Sequence, residues 1–495
     1  MVNTINQDLF NKTVDVINKT LEGPVVLPNA PHIPLWLQNA LLLAYMALLI
    51  SSLLLISHYI YYARKTLLSP GDPPPPGGEK LSIIIPVKNE SIETIVGAVE
   101  RLLSLRCQDV EILVISDDPP HYFQQIKNAL GSFPNVRVLR RPDPVGYKGV
   151  ALNWAVEHAG GDTALFLDVD SMPPRDLCDR ARAVGRREVA FLGWDGYAVV
   201  KTPIAKIQLF LYRYLLYHIS ILGRHLAGHP IFALGSGIAV RRDFLREVGG
   251  FCNCTADDYD LSIKAYIHGG RVAYLPGEPV RVEVPAGYQS FRRQYARWTY
   301  NSAYVLSRYA ARLLKLPLPL SHRLSIAMNV ATHPLMIVTT FATMATTLAL
   351  GYAGVLLPPF YILALQAALV AAAFLQVVYV YKIAKRDGMH FLQVAGRFAQ
   401  SATLLLALSP YLTFYVLLGL SRRRIRWHVT PKGLGALGGG VGLYEIALAA
   451  VVTALAIYAT YVQNLALLGN ALFLLLVFLY AYLRVAIPSS QLGRG

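Results

Sequence analysis

From Leu35 to about Ala63 the chain is almost uncharged, and this run limits the possible folds more than any other feature. Roughly twenty apolar residues suffice to cross a bilayer as a helix, where each backbone polar group must find its partner within the protein. Further apolar runs follow at about 331–355, 359–381, 441–461 and 465–487. A composition 54% hydrophobic, with mean hydropathy +0.40, fits a membrane protein that carries a soluble part. Much of the formal charge of +16 flanks these runs, as in Arg64-Lys65 and Arg422-Arg423-Arg424. Membrane lipids and topology account for it, and nucleic acid is not an expected partner.

Arg64-Lys65 directly follows the first run, and no cleavage-like site is present there. The run reads as a transmembrane anchor over 35–63 with its carboxyl end inside. Residues 1–34 then form an extracytoplasmic segment with two glycosylation sequons, Asn11-Lys12-Thr13 and Asn18-Lys19-Thr20. The stretch 391–420 is apolar but contains Arg397, Gln400 and Pro410. Lying in the interface or re-entering, it keeps the basic clusters at 382–386 and 422–432 on one inner side; crossing forces one of them outside. Five spans are therefore expected, with the soluble part in the cytoplasm.

Residues 81 to about 290 have a different texture. Leu81–Pro86, Glu111–Ile115, Val136–Leu139 and Thr163–Leu167 read as strands, with helical stretches at about 91–104 and 122–131 and another before Thr163. Alternation on this scale gives a mostly parallel, right-handed wound sheet. Three of the strands end in polar residues: Asn89-Glu90, Asp117-Asp118 and Asp168-Val169-Asp170. That edge is where an open α/β sheet keeps its ligand crevice. Read as the end of a strand, Asp168 and Asp170 point the same way, and such a pair suits a divalent ion bridging a diphosphate.

The second half holds the run Ala190–Trp194, a long aromatic helix near 204–222, and a strand opened by Gly235-Ser236-Gly237. Asp257-Asp258-Tyr259-Asp260 begins a helix that runs to Gly269-Gly270. One acid caps a helix, and this stretch has three. Past Tyr288 the basic, aromatic run Phe291–Trp298 suits a membrane surface, so interfacial helices are expected over 291–325. Cys252 and Cys254 form a C-x-C without a second pair nearby, and the four cysteines are expected as free thiols. His225 and His229 lack a third ligand and read as part of a loop at the acceptor entrance.

In this order the motifs resemble membrane-integrated family 2 glycosyltransferases, of the cellulose synthase and hyaluronan synthase kind, over about Leu81 to Gly433. The resemblance implies a GT-A-type α/β nucleotide-sugar-binding domain, with a mostly parallel wound sheet, combined with an all-helical transmembrane domain. Ser82–Glu90 is similar to the family's opening strand, which places Pro86, Asn89 and Glu90 at the donor; Asp117-Asp118 matches the first acidic motif and implies nucleoside contacts. Lys148 and Ala151-Leu152-Asn153 resemble the stretch near the uridine and phosphates, and Asp168 and Asp170 match the D-x-D that binds Mg²⁺ or Mn²⁺. The family's T-E-D reads here as Ala256-Asp257-Asp258, so Asp258 takes the position of the general base, beside Asp257. Gln294-Tyr295-Ala296-Arg297-Trp298 satisfies Q-x-x-R-W, implying Gln294 and Arg297 at the donor and Trp298 at the acceptor, with Trp194, Gly235 and Ser236. Trp427–Gly433 resembles the gating loop, with Trp for Phe, so 421–438 is expected at the cytoplasmic membrane surface and Thr430 and Lys432 over bound nucleotide.

The activity implied is inverting, metal-dependent transfer of a hexose from a nucleotide-diphosphate sugar. No residue selects the donor; GDP-mannose is preferred to UDP-glucose from the use of mannose in lipid-linked glycans. One span before the soluble part and about four after it make a sealed channel hard to build within one chain. A lipid or lipid-linked saccharide acceptor is therefore expected rather than a processive synthase secreting a β-linked polymer. An oligomer could supply such a channel but is not predicted. A nucleotide-binding transporter or channel is the alternative of another class, and the matched hydrophobic halves of repeat-built transporters are missing from the sequence.

Overall fold

The computed structural model describes residues 18–21, 23–28, 31, 33–67, 79–425 and 442–491. The chain divides into two units, one comprising Tyr62–Pro334 and Tyr415–Leu437, the other Met1–Tyr61, Leu335–Phe414 and Gly438–Gly495.

The first unit is built on a seven-stranded sheet. Its strands are β1 (Leu81–Val87), β2 (Val110–Ser116), β3 (Val136–Arg140), β4 (Thr163–Phe166), β5 (Glu188–Phe191), β7 (Ile238–Arg241) and β8 (Arg271–Tyr274), in the order β3-β2-β1-β4-β7-β5-β8. Between β5 and β7 in sequence, β6 (Trp194–Tyr197) leaves the sheet and pairs in parallel with β9 (Val280–Glu283). Strands β1 to β4 are mutually parallel, as the alternating pattern predicts. The winding runs outward from β1 to β3 and crosses back to β4, which leaves a switch point between the carboxyl ends of β1 and β4. Beyond β4 the sheet is mixed, because β7 lies antiparallel to both β4 and β5. Gly237 makes this reversal with φ of 79° and gives its N–H to the Phe166 carbonyl at 2.9 Å. A side chain there would be strained by the backbone and would meet Val280 at 2.9 Å.

Successive strand residues go to opposite faces, and both faces are covered. Ile84, Leu113 and Phe166 belong to one buried cluster, and Ile83, Ile85, Val114 and Leu165 to the other. Helix α1 (Ile92–Leu103) starts where the Ser91 hydroxyl accepts the Thr94 N–H at 3.2 Å, and it buries Ile95, Val99 and Leu102. Helix α2 (Pro120–Leu130) begins with Pro120 in its first turn and buries Ile126 and Leu130.

Among the described residues, six helices are long and apolar enough to cross a membrane: Leu35–Lys65, Leu320–Tyr352, Phe360–Asp387, Phe391–Leu420, Leu443–Tyr461 and Leu465–Ser489. Phe391–Leu420, expected in the interface or re-entrant, is one unbroken helix with Pro410 inside it. Its polar residues satisfy one another, with Arg397 Nη1 donating to Gln400 Oε1 at 2.7 Å. In the same unit Asn464 caps the next helix and sends its amide nitrogen to the carbonyls of Gly351 and Tyr352, at 3.0 and 3.1 Å. Leu42, Tyr45 and Leu49 pack with Leu350, Val355 and Ile362.

The expectation of free thiols is also overturned. Cys107 pairs with Cys178 and Cys252 with Cys254, and no cysteine remains free. Cys107 lies just past α1 and Cys178 in the helix Leu177–Arg182, and the two segments share one sheet face, which joins positions 71 residues apart. A cross-link over such a loop restrains the unfolded chain. The double variant Cys107→Ser/Cys178→Ser is expected to lose about 2–4 kcal/mol of stability. Thermal unfolding in detergent checks this, with a lowered midpoint that added reductant reproduces in the unsubstituted protein.

Candidate active site

The ends of β1 and β2 are tied together by one buried carboxylate. Asn89 adopts φ of 58° and directs its N–H to Asp118 Oδ1 at 2.7 Å, while the Ser116 hydroxyl donates to Asp118 Oδ2 at 2.9 Å. With 1% of its surface exposed, Asp118 is a brace for the rim. Asp117 is gripped by Arg141 through two bonds of 2.6 Å, in the fork geometry that suits a guanidinium and a carboxylate. Pro86 lies in β1, in register with Ile115, and the Glu90 carbonyl accepts the Tyr122 hydroxyl at 2.7 Å. Sequence reasoning missed Arg141, although it follows β3 as the acids follow β1 and β2.

Strand β4 ends at Phe166, so Asp168-Val169-Asp170 lies in a turn closed by the Ser171 N–H on the Asp168 carbonyl at 3.0 Å. This corrects the strand-alternation argument, since a turn and its hydrogen-bond partners, not strand alternation, aim these side chains. Asp168 Oδ1 receives Lys148 Nζ at 2.5 Å, and the same ammonium donates to the Gly235 carbonyl at 3.0 Å. Asp170 is buried, its Oδ2 accepting the Glu283 N–H at 3.1 Å and its carbonyl accepting the Tyr197 hydroxyl at 2.8 Å. The β6–β9 ribbon thus holds Asp170. Ser236, expected at the acceptor, is fully buried beneath this turn. Its hydroxyl accepts the Asp168 N–H at 3.1 Å and lies 2.7 Å from the Ser171 hydroxyl.

Helix α3 (Lys148–His158) and helix α4 (Asp257–Ile267) present their first turns to the same place. A Cβ on Gly149 would stand 2.3 Å from the Cys252 carbonyl, so only glycine lets α3 press against the loop that leads into α4. Asp258 Oδ2 accepts the Gly235 N–H at 2.8 Å, and Oδ1 accepts the Tyr259 N–H at 2.8 Å. A Cβ on Gly235 would lie 3.9 Å from Asp168 Oδ2 and 4.0 Å from Asp258 Oδ2, so both carboxylates face the space that this glycine leaves open. Asp260, the third acid, is structural: it is fully buried, bridged to Lys264 at 2.7 Å and to the Tyr309 hydroxyl at 2.5 Å.

The charges here are strongly coupled. Burial pushes the Asp257 carboxyl up to about 7, with Lys148 opposing the rise and Asp258 adding to it. Burial also raises Asp258, against the N–H bonds from Gly235 and Tyr259. For Lys148 burial disfavours the ammonium, but Asp168 and Asp257 outweigh it and hold the group above its ordinary pKa. Arg297, on helix α5 (Tyr288–Leu313), is lowered by burial and lies in the opposing field of Asp168, Asp257 and Asp258.

One turn before Arg297, Gln294 accepts the Tyr212 hydroxyl at 3.0 Å. Trp194 stacks on the Tyr212 ring at 4.6 Å, and Trp298 meets Trp194 edge-on at 5.8 Å. The two tryptophans and Gln294 therefore form one aromatic and amide wall. His225 and His229 part company, His229 Nδ1 lying 2.8 Å from the Tyr62 hydroxyl and the His225 ring against Tyr274. Thr430 and Lys432 lie outside the described residues.

Residues 164–375 match the model for glycosyl transferase family group 2. The chain carries a family 2 glycosyltransferase domain. The chain is 28% identical over 376 residues to a probable glycosyltransferase of Sulfolobus acidocaldarius, covering 71% of this chain and 77% of the relative. It is 24% identical over 250 residues to a probable glucomannan 4-beta-mannosyltransferase of Arabidopsis thaliana, covering 47% of this chain and 55% of the relative. The catalytic subunit of cellulose synthase 1 of Komagataeibacter xylinus is 26% identical over 207 residues, which are 39% of this chain and 27% of that one. Among solved structures, a mannosyltransferase of Pyrobaculum calidifontis in complex with GDP-Man and Mn²⁺ superposes with a TM-score of 0.51 at 18% identity, over 78% of this chain and all of that one. The chain thus has a GT-A-like mixed sheet, and it has helices long and apolar enough for a membrane.

Since a methyl at Gly235 makes only ordinary contacts with Asp168 and Asp258, Gly235→Ala is expected to fold with an unchanged thermal midpoint. Filling the space between these carboxylates should lower transfer roughly 10²-fold, which steady-state kinetics beside a melting curve would read.

Proposed function

We propose that this protein is an inverting hexosyltransferase that moves mannose from GDP-mannose, in preference to glucose from UDP-glucose, to a hydroxyl of a lipid or lipid-linked saccharide. The opening at Gly235, shared by Asp168 and Asp258 and flanked by Lys148 and Arg297, carries this reading. Asp258 takes the acceptor proton as the hydroxyl oxygen bonds to the anomeric carbon. The bond from that carbon to the diphosphate breaks on the opposite face, so one displacement inverts the centre without an enzyme nucleophile. Lys148 and Arg297 stabilise the charge that gathers on the leaving diphosphate. Asp168 and Asp170 are hard oxygen donors at the switch point and fit Mg²⁺ or Mn²⁺, which when bound would neutralise diphosphate charge.

Gln294, beside Arg297, offers its amide to the donor diphosphate, and Trp298 with Trp194 gives an acceptor sugar an apolar face to stack on. Thr430 and Lys432 close over the nucleotide in this reading. Arg64-Lys65, directly after the first apolar run, favour a cytoplasmic soluble unit, and the basic clusters on either side of Phe391–Leu420 favour five spans. GDP-mannose stands first because plant relatives are named as mannosyltransferases and the superposing enzyme was solved with GDP-Man. The plant and bacterial relatives named for glucomannan and cellulose support a second reading, processive synthesis of a β-linked polymer.

Purified protein offered GDP-mannose, UDP-glucose and UDP-N-acetylglucosamine with Mn²⁺ is expected to turn over GDP-mannose fastest, and chelator should abolish transfer. One sugar added to a lipid acceptor supports the first reading, whereas a ladder of long chains replaces it with the second. Asp258→Asn should still bind donor but lose roughly 10²- to 10⁴-fold in transfer; a variant within threefold of the parent removes the base assignment.

A base must be unprotonated to act, and burial lifts this carboxylate above the ordinary range. The rate should therefore rise with pH through the raised pKa and fall about tenfold per pH unit below it. Lys148→Gln removes a cation that holds Asp258 down and should move that limb to higher pH, as a pH–rate profile of both proteins would show.

A further inference from the structure

A second polar cavity, of about 220 Å³, lies in the soluble unit further along α5. Its lining includes Tyr300 and Arg308 of α5, Tyr147, Thr255, Arg422 and Arg424. Tyr300 and Arg308 are eight residues apart, two turns along one helix face. The opposite wall is pinned by tyrosine hydroxyls, Tyr147 donating to the Ile425 carbonyl at 2.7 Å and Tyr300 to the Arg423 carbonyl at 2.9 Å. Arg422 is set in place as well, with Nε donating to the Ser307 hydroxyl at 3.0 Å and Nη2 to the Ser307 carbonyl at 2.5 Å.

Three guanidiniums thus line a space with no carboxylate in its lining among the described residues. Asp260 lies 3.6 Å from Arg308, and its charge is already met by Lys264 at 2.7 Å. Guanidinium forks with hydroxyls beside them match the oxygens of a phosphate group. A drug-sized ligand takes roughly 300–1,000 Å³, so this smaller space suits a headgroup phosphate or a diphosphate better than a whole nucleotide sugar.

We propose that this cavity is a binding site for a phosphate-bearing anion, separate from the donor site at Lys148 and Asp168. Two sources share that chemistry. Arg422 follows within two residues of the apolar helix Phe391–Leu420, where an anionic lipid headgroup is at hand. A free diphosphate is the other. The bound anion links α5 to the segment 422–424 and to the loop that leads into Asp257 and Asp258, through Thr255. Nothing in this inference depends on which sugar is transferred.

Full-length protein in detergent, titrated with inorganic pyrophosphate in the absence of metal, is expected to show saturable binding. Arg424→Gln should weaken it about tenfold, the loss of one charge-assisted contact. Lys148→Gln, which alters the donor site, and Arg187→Gln, an exposed arginine paired with Glu247, should leave it within about twofold. In nanodiscs containing about 30% phosphatidylglycerol, the thermal midpoint should exceed that in phosphatidylcholine alone, and Arg424→Gln should erase the difference if the source is lipid. A midpoint indifferent to lipid, with pyrophosphate binding still sensitive to Arg424, identifies a soluble diphosphate. The proposal fails if pyrophosphate does not saturate by about 10 mM and lipid has no effect. It fails equally if affinity follows Lys148 rather than Arg424.

Discussion

The candidate site at the carboxyl edge of the sheet depends on one ammonium. Lys148 Nζ lies 2.5 Å from Asp168 Oδ1 and in the field of Asp257 and Asp258, all of them at the carboxyl edge of the sheet or in the first turn of a helix. Carboxylates brought this close repel one another, and burial denies them the water that would screen the repulsion. Lys148 offsets that cost and links two segments distant in sequence, donating to Gly235 as well as to Asp168. Gly149 makes the approach possible, because any larger residue would strike the Cys252 carbonyl.

The sheet supplies the rest of the geometry. Parallel strands β1 to β4 deliver polar loops to one edge, and the antiparallel β7 brings Gly235 and Ser236 back across it. Ser236 supports the Asp168 turn from below while Gly235 separates Asp168 from Asp258 above it. The β6–β9 ribbon approaches from the side and fixes Asp170 through Glu283 and Tyr197. Three sequence-distant pieces therefore orient one three-residue turn, which leaves little freedom in where its carboxylates point.

Much of this is legible in the sequence. The parallel strands, the helices between them and the clustering of acids at their ends followed from apolar runs and polar stops. Lys148, Asp168, Asp257, Asp258 and Arg297 do share one electrostatic site. Other assignments fell short for definite reasons. Strand alternation places Asp168 and Asp170 on β4, yet β4 ends two residues before the first of them. The grip of Arg141 on Asp117 and the burial of Ser236 depend on neighbours across the sheet, as do the cysteine pairs.

What the sequence by itself determined is everything that local pattern controls. The long apolar runs can persist only as helices, the alternation of short apolar and helical stretches can close only into a wound sheet, and the acids must sit at strand ends and helix starts. Tertiary structure alone decided which acid faces which cation, that β7 runs antiparallel, and that Asp260 braces a helix while Asp258 faces the opening. Those choices rest on contacts between residues tens to hundreds of positions apart, where hydrogen-bond geometry and loss of water set the energies. No short stretch of sequence contains both partners.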